Sequence, residues 1–139
     1  MNEYRWDDLH EGLEAQFEVT LAPSLLEQFR ALSGDINPLH SDPDFARSLG
    51  FQDTVAFGLL TSAFYSQLIG VHLPGRYALL HGLDVDFHHP AYPGEVLTVH
   101  GRIAQLTDAF HRMEIRARIS NSAGTLISKA RIRVGLHVP

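Results

Sequence analysis

The second half of the chain alternates apolar and polar residues, whereas a stretch near its middle carries no charge at all. In LLHGLDVDF, Leu79, Leu83, Val85 and Phe87 share one face of a strand and Asp84 and Asp86 the other, because successive strand side chains point to opposite faces. EVLTVHGRIAQL predicts a second strand, entered by the turn PAYPGE. FHRMEIRARI and TLISKARIRVGL predict a closing pair joined by SNSAG, with Met113, Ile115, Ala117 and Ile119 on one face of the first and Leu126, Ala130, Ile132 and Val134 on one face of the second. Upstream the period lengthens. After a short alternating strand, QFEVTL, the segment PSLLEQFRALSG reads as a helix with Pro23 in its first turn and Gly34 as its stop. SDPDFARSLG predicts a short helix capped by Ser41 or Asp42 and ended at Gly50. GLLTSAFYSQLIG, uncharged from Gly58 to Gly70, predicts a helix buried nearly all round. One apolar helix and four or five strands with a single polar face fit together as an antiparallel sheet wrapped on one side around that helix. This is an α+β layout.

Length and composition narrow the possible partners. The 139 residues suit one domain, 1–139, with one sizeable core, and 45% apolar with 19% charged residues is a globular composition. A net charge of −5 offers no general attraction to nucleic acid or to an anionic membrane. The absence of cysteine excludes disulfides, a thiolate nucleophile and a cysteine-ligated zinc. MNEYRWDDLHEG lacks the basic and apolar regions of a signal peptide, and no apolar run approaches the ~20 residues that span a bilayer. The expected location is the cytoplasm.

Against that frame stands SGDINPLH, residues 33–40. An Asp after a helix end and an Asn-Pro dipeptide serve an ordinary turn. Here, however, Pro38 also removes freedom between two ionisable groups, so Asp35 and His40 can converge on one point with less entropy to lose. Such a pair can share a water, one group accepting a proton while the other orients the molecule or returns the proton. Gly58 opens the apolar helix, where the first N–H groups lack partners within the helix; without a Cβ it either packs closely on the sheet or admits an oxyanion. Ser62 and Ser66, each one turn further on, extend a stripe of small residues that permits close packing or lines an acyl tunnel. The nine histidines include no His-x-x-x-His or His-Glu-x-x-His, and His88 and His89 are expected on opposite faces of a strand, so no metal site is predicted. Neither a nucleophile elbow nor a phosphate-binding glycine loop is present, and no cofactor is called for.

Taken together, SGDINPLHSDPDFA, TVAFGLLTSAFYSQLIG and LDVDFHHPAYPGEVLTV resemble the R-specific enoyl-CoA hydratases and MaoC-like dehydratases, proteins of the hot-dog fold. The likeness spans roughly residues 25–105. It implies hydration of trans-2-enoyl thioesters, or the reverse dehydration, with Asp35 and His40 as catalytic pair, Asn37 fixing the loop, and the Gly58 N–H receiving the thioester oxygen. Ser66 corresponds to a serine sometimes near the acyl group. Phe57 stands where the family commonly has His, a change that removes a hydrogen bond or narrows the acyl pocket. The resemblance also implies an acyl-CoA or acyl carrier protein thioester as partner and a homodimer or higher homo-oligomer. A hot-dog thioesterase and a non-catalytic acyl-thioester-binding protein are the alternatives. Seven of the eleven basic residues fall in the last third of the chain, where Arg116 and Arg131 are either a solvated face or contacts for the carrier's phosphates or acidic surface.

Overall fold

The computed structural model describes residues 1–137 and 139. Its elements run β1 (Glu14–Thr20), α1 (Pro23–Ser33), α2 (Pro43–Ser48), α3 (Gly58–Gln67), β2 (Ala78–Phe87), β3 (Val96–Thr107), β4 (Arg112–Asn121) and β5 (Leu126–Leu136). Local chemistry sets the helix ends. Pro23 begins α1, and Gly34 closes it in the left-handed conformation, φ 73°, its N–H donating to the Arg30 carbonyl. Asp42, rather than Ser41, caps α2, its carboxylate accepting from the N–H groups of Asp44 and Phe45. After Gln67 the chain widens into one π-helical turn, Leu68–His72, before leaving for the sheet. Among the described residues no helix is long and apolar enough to cross a membrane.

The five strands form one antiparallel sheet in the order β1-β3-β4-β5-β2. Ile103, Met113, Ile115, Ile119, Ile132 and Val134 turn inward and are buried with Leu60, Tyr65 and Leu68 of the α3 segment. Opposite residues in an antiparallel ladder share a face, so the outer face reads directly across the strands as Glu14, Arg102, Arg116, Arg131 and Asp84. Three arginines side by side repel. Their carboxylate neighbours offset this: Glu14 lies 3.7 Å from Arg102, Glu114 lies 2.8 Å from Arg116 and 3.4 Å from Arg131, and Asp84, 3.7 Å from Arg131, also lies 2.6 Å from Arg133. The Arg133 hydrogen bond and charge hold the Asp84 carboxyl below its usual range.

Two expectations are corrected by the ladder. A bulge at His81 shifts the register of β2, so that Leu80, and not Leu79, lies opposite inward-facing Val134, in line with Leu83, Val85 and Phe87. A second irregularity, where β5 begins, sets Leu126 opposite Ser120 and puts Ser128 opposite Ile119 on the inner face. Ser128 is fully buried and meets the Tyr65 hydroxyl at 2.8 Å. Burial pushes the Tyr65 phenol up from 10.0 to about 12, opposed by that hydrogen bond.

The helix α3 is not buried all round. Leu60, Thr61, Ser62 and Tyr65 are covered, while Leu59 is 71% exposed and Ala63, Ser66 and Gln67 are open. The sheet curls over one side only, and among the described residues β2, its last strand, has no neighbour beyond it. Leu80, Leu83 and Phe87 therefore remain partly uncovered beside Leu59.

Candidate active site

The loop after α1 is built from short side-chain-to-backbone hydrogen bonds. Asp35 Oδ1 accepts the Asn37 N–H at 3.0 Å, and Asn37 Oδ1 accepts the Leu39 N–H at 3.0 Å, capping the 3-10 turn Pro38–His40. Asn37 thus holds the turn through its own side chain. Asp35 spends one carboxylate oxygen on this framework, and the other, Oδ2, lies 3.9 Å from His40 Nε2. At that separation the two atoms do not hydrogen-bond directly. A water about 2.8 Å from each would close a triangle with them.

A second loop fixes the imidazole. The Val55 N–H donates to the Leu39 carbonyl at 3.0 Å, and the Val55 carbonyl lies 2.6 Å from His40 Nδ1. A carbonyl can only accept, so Nδ1 carries the hydrogen and the neutral ring presents a free lone pair at Nε2. Phe57 stacks on the ring with centroids 3.9 Å apart and planes 29° apart, and Phe29 of α1 packs on Phe57 at 5.0 Å. Side-chain exposure falls from 47% at Asp35 to 13% at His40, so the carboxylate is at the rim and the imidazole in the wall.

The wall belongs to a cavity of 490 Å³ lined by His40, Val55, Ala56, Gly58, Leu59, Thr61, Phe87, Ile127 and the segment from His88 to Ala91, with Phe51 at its margin. Most of the lining is apolar. Gly58 is the first residue of α3, and among the described residues its N–H donates to no backbone acceptor outside the helix. A Cβ at this position would lie 2.9 Å from Phe87 Cζ, so the glycine lets the Phe87 ring close over the helix start.

The fold therefore brings His40 and Gly58 to one cavity, while Asp35, beside His40, and Asn37, which holds the turn, stand outside its lining. Phe57 is only 3% exposed and backs His40 from behind the wall. Ser62 donates its hydroxyl to the Gly58 carbonyl at 2.9 Å, and with Ser66 it lines a separate apolar groove between α3 and β2, with Leu59, Leu80, Leu83 and Ile132. The expectation that His88 and His89 point to opposite faces fails because β2 ends at Phe87; both then leave the sheet and line the cavity. His89 Nδ1 lies 2.8 Å from the Leu126 carbonyl, which fixes its ring as Val55 fixes that of His40. The chain pattern gave no sign of Val55, whose contribution is a backbone carbonyl.

Comparison with known proteins places the chain in a family. Residues 7–124 match the family described as MaoC like domain. The chain belongs to that family. Its architecture is the hot-dog fold, shared with an R-hydratase of Aeromonas caviae (TM-score 0.88, 29% identity, 93% of this chain and 98% of that one). It is shared too with an R-hydratase of Pseudomonas aeruginosa (TM-score 0.89, 27% identity, 96% and 86%). In sequence, this MaoC-like chain is 30% identical over 118 residues to the (R)-specific enoyl-CoA hydratase of A. caviae, covering 85% of this chain and 88% of that protein. It is 28% identical over 115 residues to the 3-hydroxybutyryl-CoA dehydratase of Methylorubrum extorquens, covering 83% and 73%.

Proposed function

We propose that this MaoC-like protein is a hydro-lyase that adds water to trans-2-enoyl thioesters to give (R)-3-hydroxyacyl thioesters, or catalyses the reverse dehydration. The observation that carries the reading is the pairing of Nε2 of His40, a residue of the wall of an apolar cavity that Gly58 at the start of α3 also lines, with an Asp35 oxygen 3.9 Å away. A water bound by both groups gives up a proton to the pair as its oxygen attacks C3. The electron pair moves onto the thioester oxygen, where the Gly58 N–H and the positive end of α3 stabilise it. The proton then returns at C2. Relatives named as (R)-specific enoyl-CoA hydratases and as a 3-hydroxybutyryl-CoA dehydratase support both directions and the stereochemistry.

The substrate is an acyl-CoA or acyl carrier protein thioester, and residues 1–139 act as one MaoC-like domain within a homodimer. Support for the dimer comes from Leu59, Leu80, Leu83 and Phe87, an apolar face beside the free edge of β2 that a second copy would cover. Incubation with crotonyl-CoA tests the activity. Loss of the conjugated enoyl absorbance without release of thiol is expected; thiol release identifies a thioesterase, and no change in either signal removes the enzymatic reading.

A further inference from the structure

We infer that Phe57 is a positioning residue for His40, and that the stacked series Phe29, Phe57, His40 ties the imidazole's orientation to α1. The inference rests on the hydratase reading for its kinetic arm only.

Turning of the His40 ring about its Cβ–Cγ bond is opposed by a single hydrogen bond, from Nδ1–H to the Val55 carbonyl, and breaking that bond also releases the tautomer. Pivoting would carry Nε2 away from Asp35 Oδ2, now 3.9 Å distant. The Phe57 ring, 3.9 Å from the imidazole centroid and 29° from its plane, blocks that motion on one face. Phe57 can do so because it is itself held. It is 3% exposed, its backbone stands at the start of α3, and the Phe29 ring meets it at 5.0 Å and 50°. With Nδ1 engaged by the Val55 carbonyl, proton exchange is left to Nε2. Asp35 Oδ2 lies 3.9 Å from Nε2, and His88 and His89 share the cavity lining with His40; the stacking contact on the His40 ring comes from Phe57.

Phe57→Leu retains apolar volume but removes the flat surface. Two measurements separate positioning from general packing. Long-range nitrogen–proton correlation spectra of the imidazoles read the tautomer directly: the wild type gives a single Nδ1–H form for His40, and the variant gives nitrogens averaged between the two forms. Steady-state hydration of crotonyl-CoA reads the consequence: turnover falls about tenfold, since small misplacements of a reacting group cost up to ~10²-fold, with the Michaelis constant unchanged within about twofold, because Phe57 does not touch the cavity. A folded variant with the wild-type tautomer and turnover overturns the inference. If Phe57→Leu fails to fold, Phe29→Leu, which leaves Phe57 in place but frees its ring, replaces it: averaged nitrogens and slower turnover uphold the positioning role, and wild-type values of both overturn it. Should the wild type hydrate nothing, the tautomer measurement still decides the positioning role while the hydratase reading falls alone.

Discussion

Replacement of Gly58 by alanine separates the two uses that this glycine can have. The added Cβ would lie 2.9 and 3.0 Å from Phe87 Cζ and Cε1, closer than a carbon pair can rest. Those atoms form the far end of a side chain that is 52% exposed, so the Phe87 ring can swing outward. Alanine is also favoured over glycine in a helix by ~1 kcal/mol at interior positions, less in the first turn. Folding stability should therefore stay within about 1 kcal/mol of the wild type, as read from denaturant midpoints. Catalysis should respond differently. The Gly58 N–H survives, but the methyl group and the displaced ring stand where a thioester oxygen must approach it. Loss of one oxyanion donor costs ~10²–10³ in turnover, and blocked access should reach the lower end of that range, ~10²-fold. Initial rates of enoyl absorbance loss with crotonyl-CoA measure it. Truncating the ring as well, in Gly58→Ala/Phe87→Ala, removes the displaced ring and leaves only the methyl group; activity should stay low. Near-native turnover in folded Gly58→Ala would refute the oxyanion assignment and leave close packing against Phe87 as the glycine's only role.

Further outcomes are expected. Asp35→Asn and His40→Gln should each lower turnover by about 10²-fold or more while the fold is retained, in line with general acid/base magnitudes; near-native activity in either folded variant removes the pair. Tyr65→Phe strands the buried Ser128 hydroxyl, at ~1–3 kcal/mol in urea unfolding, and Tyr65→Phe/Ser128→Ala should regain part of the loss. Because folding raises the Tyr65 phenol from 10.0 to about 12, its contribution to stability is complete below pH 10.0 and drains away as pH rises toward the folded value; Tyr65→Phe should flatten that alkaline decline in denaturant midpoint. Leu83→Glu, a charge placed in the apolar face beside the β2 edge, should convert a dimer to monomers by light scattering, and an unchanged mass would put the interface elsewhere. On the outer sheet face Arg116 and Arg131 already have carboxylate neighbours, whereas among the described residues Arg118 and Lys129 have none within 4.0 Å. Arg118→Glu should accordingly raise the Michaelis constant for an acyl-CoA more than Arg131→Glu does, with the difference shrinking as salt shortens the Debye length from ~10 Å at 0.1 M to ~3 Å at 1 M. Equal constants at both ionic strengths would make the face ordinary surface.

What the sequence discloses of this fold is what neighbours in sequence decide. Gly34 ends α1, Asp42 caps α2 and Pro23 starts its helix because each acts within one turn of itself. The alternation in β4 maps onto Met113, Ile115, Ala117 and Ile119 without error, since β4 pairs on both sides and has a covered inner face. Reading failed where a partner decides. The bulges at His81 and at the start of β5 are set by the ladder between strands far apart in the chain, and each one reverses the face of everything beyond it. An uncharged helix looks buried on all sides, yet whether α3 is covered depends on how far the sheet curls, which no window of α3 contains.

The site divides along the same line. Asp35, Asn37 and His40 are legible because the turn that arranges them is local, each side chain bonding to backbone two residues away or presented by the 3-10 turn itself. Their relation to Gly58 is a matter of two hydrogen bonds that span fifteen or sixteen residues. Val55 donates its N–H to the Leu39 carbonyl and accepts from His40 Nδ1, so one residue grips the loop by its backbone and the base by its ring. Only Ala56 and Phe57 separate Val55 from Gly58, and both are fixed: Ala56 donates to the Ala91 carbonyl at 2.8 Å, and Phe57 is stacked between Phe29 and His40. A short, fully tethered link therefore joins the imidazole to the helix N-terminus. In the proposed hydration, a water activated at Nε2 and an oxygen received at the Gly58 N–H would meet across one planar enoyl thioester, and that requirement is a fixed distance between two chain segments. Val55's share of that tethering is made by its backbone alone, which is why it carries no chemical signature of its own.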